Sequence, residues 1–476
     1  MLDQSFSAQN FGIIFNLLNR KGKVDVMKMS KEYQEILSDI KLTRSKVREI
    51  ERRKMTMWTD EEKELHDAYK ENIKEQEQRK NEILQNELQC YADEVNDGSF
   101  RFNMTKHLYG THEEFTIDTS RLPAYYAICQ LQHNMKKTFN VEMASRHMIL
   151  RSIKRLLNMK MPIYIIRTDV SGFFEHIPQD KLINKVNDNT LLSYKSKAFI
   201  KGILNEYERL KDKSIVPAGV GVPRGVGISS MLSEVYMQDL DRALSSRKEV
   251  VYYVRYVDDI FMIMTSTGDS KDLNEYYSNL EALFDSYGLQ LKPRTDGKCK
   301  LLDFVMNRNN CIPAFDYLGY SFNIKCGESN GLELQYGLSS KKKHDIKNRI
   351  DNAFIHFESL SKVNIKQARK DFIDSLRLIS GNVRLKNSKS GVKTGLYYNN
   401  DLLDEVGLKT LNDITQYLHN KPINVHASSF VSTVEKDHFV DALRKRLLKI
   451  DLCNCWKSKR IYDFDIERIA QIKVWL

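Results

Sequence analysis

Proline and glycine are scarce in this chain of 476 residues, with 8 and 21 copies. That scarcity excludes a collagen-like or low-complexity chain, in which these residues dominate. No run approaches the ~18 consecutive apolar residues of a membrane span. The longest apolar groups, such as Ile260 to Met264, are strand-sized, which argues against a membrane enzyme. Cysteine is sparse and unpaired. Cys90, Cys129, Cys299, Cys311, Cys326, Cys453 and Cys455 form an odd, scattered set without CxxC spacing, which reads as reduced buried thiols rather than a disulfide framework. Only Cys453 and Cys455 cluster, and no second Cys/His pair stands at zinc-ligand spacing. The opening residues Met1 to Phe6 carry Asp3 and no basic stretch, so we expect no secretion signal and a cytoplasmic location.

What is present is the balance of a folded globular chain: 41% hydrophobic, 10% aromatic and 29% charged residues. A length of 476 residues predicts two to four cores at about 150 residues each. The net charge is +11, and its location matters more than its size. Residues 336–395 hold 14 Lys/Arg against 5 Asp/Glu, a patch that attracts polyanions or else forms a solvated helical face.

Residues 29–96 lack glycine and proline and are rich in Glu, Lys, Gln, Arg, Leu and Ile. They predict a helical hairpin from Ser30 to Lys54 and Thr59 to Asp93, with Thr59 and Glu62 as a capping box. This extension reads equally as an oligomerisation or partner arm and as a layer on the main core. Pro162 to Ile166 and Val250 to Val254 are β-branched and aromatic and predict strands. Residues 179–210 and 228–245 predict helices. From Ser340 the chain is helical again. Ile346, Ile350, Phe354 and Phe357 form an apolar stripe opposite Lys341, Lys342, Lys343, Lys347 and Arg349. The body is therefore α+β.

The chemistry concentrates in a few acids. Asp258 and Asp259 lie between two strand-like runs, Tyr252 to Tyr256 and Ile260 to Met264, at the tip of a predicted hairpin. Adjacent acids there are costly without a cation, and Mg²⁺ takes one or two carboxylates together with substrate phosphates. A second strand, Ile163 to Thr168, ends in Asp169. If these strands are neighbours, the acids meet at one sheet edge and can hold two metals for nucleotidyl transfer.

The segments carrying these acids resemble reverse transcriptases. Tyr256-Val-Asp-Asp259 matches the YxDD signature, Asp169 with Phe173 and Phe174 the first catalytic motif, and Gly221 to Ser230 the substrate-binding motif. Gly288 to Lys292 and Phe315 to Phe322 resemble the later palm motifs, and all five occur in family order over about residues 140–325. Ser145 to Leu157, the Pro223-Arg224-Gly225 triplet, Gly381 to Leu385 and Gly395 to Tyr398 are similar to the bacterial defence-associated and abortive-infection subgroup.

The resemblance implies a right-hand polymerase fold with residues 1–96 as helical extension, 97–330 as fingers and palm, 331–395 as basic helical thumb and 396–476 as helical C-terminal region. It implies RNA-directed DNA synthesis from dNTPs with two Mg²⁺ ions, or Mn²⁺, in antiphage defence. The expected partners are an RNA template, a noncoding RNA in this subgroup, and a DNA product; a second copy of the chain or an operon-encoded protein is open, and no membrane is expected. Asp169, Asp258 and Asp259, with the Val170 backbone, become the metal ligands. Phe174 becomes the residue beneath the incoming sugar, excluding a 2′-hydroxyl. Arg146, with Arg151 and Arg155 behind it, becomes a triphosphate clamp. Arg224 and Gly225 lie at the nucleotide, with Gly221, Gly225 and Gly227 admitting the template-primer, and Lys298 or Lys300 becomes the proton donor to pyrophosphate. Lys341, Lys342, Lys343, Lys347 and Arg349 hold nucleic acid.

One departure stands out: Arg224 occupies a position where common relatives carry Gln. A charged fork donor suits phosphate or a base edge better than an amide does, which points to a restricted or repetitive product. Two other readings stay open: template-independent or protein-primed synthesis on the same acids, for which the 23 tyrosines, including Tyr397 and Tyr398, offer hydroxyls, and a catalytically quiet nucleic-acid-binding scaffold.

Overall fold

The computed structural model describes residues 3–21, 24, 26–109, 112–142, 144–159, 163–265, 273–303, 315–326, 332–386, 391–426 and 429–476. The chain divides into two compact units, residues 1–19, 23–143 and 172–239 forming the first and residues 20–22, 144–171 and 240–476 the second. Pro162, the start of one expected strand, and Cys311 lie outside the described residues.

The first unit contains α1 (Ala8–Arg20), α2 (Lys31–Glu51) and α3 (Asp60–Asn96), then the hairpin of β1 (Met104–Tyr109) and β2 (His112–Ile117) and helix α4 (Leu122–Thr138). After a passage through the second unit it resumes with α6 (Phe173–His176), α7 (Gln179–Asp188), α8 (Tyr194–Leu210) and most of α9 (Ser229–Ser245). The capping box at Thr59 and Glu62 is present and opens α3. The N-terminal segment is fastened to this unit through aromatic contacts. Phe6 meets Phe199 edge-on at 4.8 Å, and Phe11 packs on Tyr126. Phe6 and Phe11 thus tie the N-terminal segment to α8 and α4.

The second unit contains α5 (Arg146–Leu157), β3 (Ile163–Ser171), β4 (Val250–Tyr256), β5 (Asp259–Thr265), α10 (Leu273–Ser286), β6 (Gln290–Leu291) and β7 (Lys300–Asp303). It continues with β8 (Phe315–Tyr317), β9 (Tyr320–Cys326), β10 (Leu332–Leu338), α11 (Ser340–Ser361), α12 (Ile365–Ser380), β11 (Asn382–Leu385) and β12 (Thr394–Gly395). The last elements are α13 (Glu405–Asn420), α14 (Thr433–Leu447), α15 (Leu452–Lys457), β13 (Ile461–Phe464) and α16 (Ile466–Trp475).

Its main sheet runs β4-β5-β3-β6, with β7 also paired to β3, and every pairing is antiparallel. Residues 163–170 of β3 are buried, as befits a β-branched strand covered on both faces. Alternation along the strand sends Thr168 to the Tyr277 hydroxyl of α10, while Ile163 and Ile165 join Ile149 and Ile153 of α5 in the main core. Asp169 follows this second face.

Residues 396–476 were expected to be helical, yet β13 pairs in parallel with β11, completing the three-stranded sheet β12-β11-β13. The short apolar and aromatic run Ile461 to Phe464 gave too little periodicity to separate strand from helix. Helices α11, α12, α13 and α14 contribute to one continuous core. Of the cysteines, Cys299 and Cys453 are buried but Cys90 is exposed, and the five described are free thiols. Among the described residues no helix is long and apolar enough to cross a membrane.

Candidate active site

Three acids converge where β3 meets the β4–β5 hairpin. Asp169 and Asp259 are direct register partners, so their side chains share a sheet face. Sequence reading placed both Asp258 and Asp259 at the hairpin tip. In the structure Val257 and Asp258 form the two-residue turn, whereas Asp259 opens β5, paired with Tyr256. The Val170 N–H donates to the Asp258 carbonyl at 3.0 Å, tying the turn to β3. One ligand oxygen from each acid lies within 4.8 Å of the others, and this is the metal-capable group among the described residues.

The electrostatics suit a cation. Asp169 is 2% exposed, and one oxygen of Asp169 and one of Asp259 are buried without a hydrogen-bond partner. Burial, followed by the Asp169 carboxylate, pushes the Asp259 carboxyl up to about 6. Hard carboxylate donors with open lone pairs are the donor set of Mg²⁺ and Mn²⁺, so these residues fit the expected ions. Two cations already serve the acids. Lys298 Nζ donates to Asp169 Oδ2 at 2.6 Å, and Arg167 Nη2 lies 3.6 Å from Asp259 Oδ1. Arg167 stands two residues before Asp169, and strand alternation therefore brings its side chain to the same face. Sequence reading passed over Arg167; its signal was a cation interrupting an apolar strand run.

Asp259, Arg167 and Lys298 line a cavity of about 1020 Å³, whose far wall includes Lys341, Lys342 and Arg349 of α11. Among the expected nucleic-acid residues, these three reach this cavity. Lys347 instead lies over the Tyr417 ring at 4.8 Å, and Lys343 is not part of the lining. The five cations were expected on one face. They divide to either side of the apolar stripe, because a 100° step per residue separates 343 and 347 from 341, 342 and 349.

Arg146 does not stand free as a clamp. Its Nε donates to the Leu318 carbonyl at 2.8 Å and its guanidinium lies over Tyr320. Arg151 pairs with Asp401, which also meets His147. Lys300 lies in β7 opposite Arg167.

In the first unit, Phe174 follows buried Phe173 in α6, and Arg224 places its guanidinium over the Phe174 ring, 6.0 Å from the centroid, while its Nε lies 3.3 Å from Glu175. Gly225 has φ +94°, and a Cβ there would stand 2.7 Å from the Phe115 carbonyl. The space its missing side chain leaves is filled by the protein's own backbone. A Cβ at Gly227 would likewise meet Gln132.

The reverse transcriptase (RNA-dependent DNA polymerase) family profile matches residues 81–322, about half of the chain. An uncharacterised 91 kDa protein in a cob intron of Schizosaccharomyces pombe is 32% identical over 113 residues, covering 23% of this chain and 13% of that protein. The match thus spans a small part of that relative. Among solved structures, apo telomerase from Candida tropicalis aligns at 12% identity and TM-score 0.39, over 79% of this chain and 67% of that one. Telomerase from Candida albicans with a fragment of telomeric RNA aligns at 12% identity and TM-score 0.33, over 82% of this chain and 77% of that one.

Proposed function

The chain belongs to the reverse transcriptase family, and from that premise we propose that it is a right-hand polymerase performing RNA-directed DNA synthesis from dNTPs on the three acids. The observation that carries this reading is the pairing of Asp169 with Asp259, with Asp258 fixed beside them, beneath a cavity walled by cations. In this reading residues 97–330 supply fingers and palm, and α11 belongs to the thumb.

Asp169, Asp258 and Asp259, with the Val170 backbone, would hold the ions. Bound there, Mg²⁺ or Mn²⁺ would ease ionisation of a primer 3′-hydroxyl and stabilise the leaving pyrophosphate. The residues of the chain do the rest. Lys298 holds a proton beside Asp169 and would pass it to the pyrophosphate. Arg167 compensates the charge of Asp259. Lys341, Lys342 and Arg349 would hold phosphates along the cavity through salt-sensitive contacts. Phe174 would bar a 2′-hydroxyl.

The finer setting, antiphage defence in a bacterial cytoplasm with a noncoding RNA template, is supported by the segments 145–157, 221–230, 381–385 and 395–398. A second reading, addition without a template, is favoured by Arg224, whose guanidinium and Glu175 partner occupy the place of a neutral amide.

The test is to purify the protein with its bound nucleic acid, sequence that RNA, and follow labelled dNTP incorporation beside an Asp258→Ala/Asp259→Ala variant. DNA complementary to the copurified RNA, made by wild type only, is the expected result. DNA matching no RNA transfers the assignment to untemplated addition. Equal incorporation by both proteins overturns the site.

A further inference from the structure

Lys211 is an ammonium with no exposed side-chain surface, just beyond the end of α8. Burying such a charge is costly unless hydrogen bonds replace its water. Here all the replacements come from one segment and its neighbour. Lys211 Nζ donates to the carbonyls of Pro217 and Val220, each at 2.6 Å, and to Glu208 Oε1. The same Glu208 oxygen accepts from Gln179 Nε2 at 2.8 Å and from the Gly219 N–H at 3.2 Å. Gln179 Nε2 also reaches the Gly221 carbonyl at 2.8 Å. The three consecutive residues 219–221 are thereby held by the pair of buried Lys211 with Glu208 and by one amide.

What this segment holds in turn is the surroundings of Phe174. The Gly221 N–H donates to the Ile177 carbonyl, and the Val222 N–H donates to the carbonyl of Phe174 itself, both at 2.8 Å. Two residues on, Arg224 lies over the Phe174 ring and pairs with Glu175. The close approach is fixed by Gly221 at φ +90°, where a Cβ would stand 2.7 Å from the Tyr207 hydroxyl and 3.1 Å from the Glu175 carbonyl. A displacement of the 217–222 segment therefore moves both the backbone and the ring plane of Phe174. A fully buried cation is an expensive way to fasten a loop unless the position of that loop matters to more than folding.

We propose that Lys211, through Glu208 and the carbonyls of Pro217 and Val220, is a positioning residue that sets the sugar selectivity of nucleotide incorporation by fixing Phe174. This rests on the polymerase reading above and names a determinant outside its motifs. On that reading, a displaced Phe174 ring makes room for a 2′-hydroxyl. The ratio of deoxyribonucleotide to ribonucleotide use then falls faster than the rate of synthesis.

The experiment measures kcat/KM for dNTP and for the matching rNTP on a supplied RNA template with an annealed DNA primer and Mg²⁺. It compares wild type, Lys211→Met/Glu208→Gln, which removes both charges together, and Gln179→Leu, which loosens the same segment without touching the lysine. Thermal melting reports folding. The expected result is folded variants whose dNTP preference falls by about tenfold or more, mostly through a rise in rNTP kcat/KM, with Lys211→Arg closer to wild type. A parallel fall in both substrates with unchanged preference, in whichever variant folds, overturns the inference and leaves Lys211 a structural tie. If wild type incorporates neither nucleotide, the polymerase reading and this inference with it are overturned.

Discussion

Asp169 and Asp259 face one another as register partners across two adjacent antiparallel strands, with Asp169 almost wholly buried. Burial of Asp259, followed by repulsion from the Asp169 carboxylate, has a thermodynamic consequence. The folded chain holds the Asp259 proton up to about pH 6, against 3.8 for a free aspartate. A carboxyl whose folded pKa is raised binds its proton more tightly folded than unfolded, so its contribution to stability falls as pH rises from 3.8 to about 6. In EDTA, wild type should lose up to about 3 kcal/mol across this window from this one group. Asp259→Asn removes that slope and melts higher than wild type at pH 7. The same variant should lose about a thousandfold or more in nucleotide incorporation. Melting at pH 5 and pH 7, with and without EDTA, checks the first statement, and a primer-extension assay the second.

Lys342 titrates in the opposite sense. Burial first, and then the neighbouring Arg146 guanidinium, depress its ammonium to about 7, with Asp345 on its own helix opposing the shift. Lys341 and Arg349 add further positive charge along the same cavity wall. A lysine with a depressed folded pKa gives up its proton more readily folded than unfolded, so stability from this group rises with pH above about 7. Nucleic-acid affinity should move the other way, because a neutral amine releases no counterion. Between pH 6 and pH 8 the slope of log affinity against log salt should shrink by nearly one phosphate contact. Lys342→Met should abolish that change while keeping the smaller slope at both pH values. Filter binding of a primer-template duplex over a salt series measures it.

How much of this was legible in the sequence depends on the range of the interactions. The capping box at Thr59 and the apolar stripe of α11 are local patterns, and both stand as read. The three acids were legible because strand alternation and a short turn are also local, and the family motifs supplied the pairing of distant strands. The parallel pairing of β13 with β11 was not, since 79 residues separate Asn382 from Ile461 and four-residue strands carry little periodicity. Charges were read as a surface property. The structure instead spends Arg146 on the Leu318 carbonyl, Lys347 on Tyr417 and Lys211 on three acceptors within the chain, and no sequence pattern marks which lysine will be enclosed.

Phe174 and Arg224 make a separable pair of predictions. Phe174→Ala should lower the preference for dNTPs over rNTPs by about tenfold to a hundredfold with a smaller effect on dNTP use, since a lost ring opens space at the sugar. Arg224→Gln removes the charge that pairs with Glu175 and stacks on Phe174. It should shift the product towards copying of an arbitrary supplied RNA, read by sequencing the DNA made on two unrelated templates. Unchanged product sequences in that variant would assign Arg224 to local packing alone.

The turn that presents Asp258 stores strain. Val257 sits at φ +61°, a conformation that a β-branched residue adopts at a cost of about 1–3 kcal/mol. Such a residue stays in place only when its neighbours over-determine it, and here they do. Arg255 Nη1 donates to the Val257 carbonyl at 2.7 Å, while the Val170 N–H holds the Asp258 carbonyl. Arg255 is itself fixed by Asp241 through Nε at 3.0 Å and Nη2 at 2.7 Å. Two variants separate strain from anchoring. Val257→Gly relieves the left-handed conformation but gives the unfolded chain about 0.5–1 kcal/mol of extra entropy. The net expectation is a gain of about 1 kcal/mol, seen as a higher melting temperature, with incorporation falling less than about tenfold. Arg255→Leu leaves the strain, removes its anchor and takes from Asp241 its buried ion-pair partner, leaving it the Tyr253 hydroxyl. It should destabilise the protein by about 3 kcal/mol and lower incorporation by more than the glycine variant does. The opposite order of the two activities would locate the rigidity of the acid turn in Val257 itself.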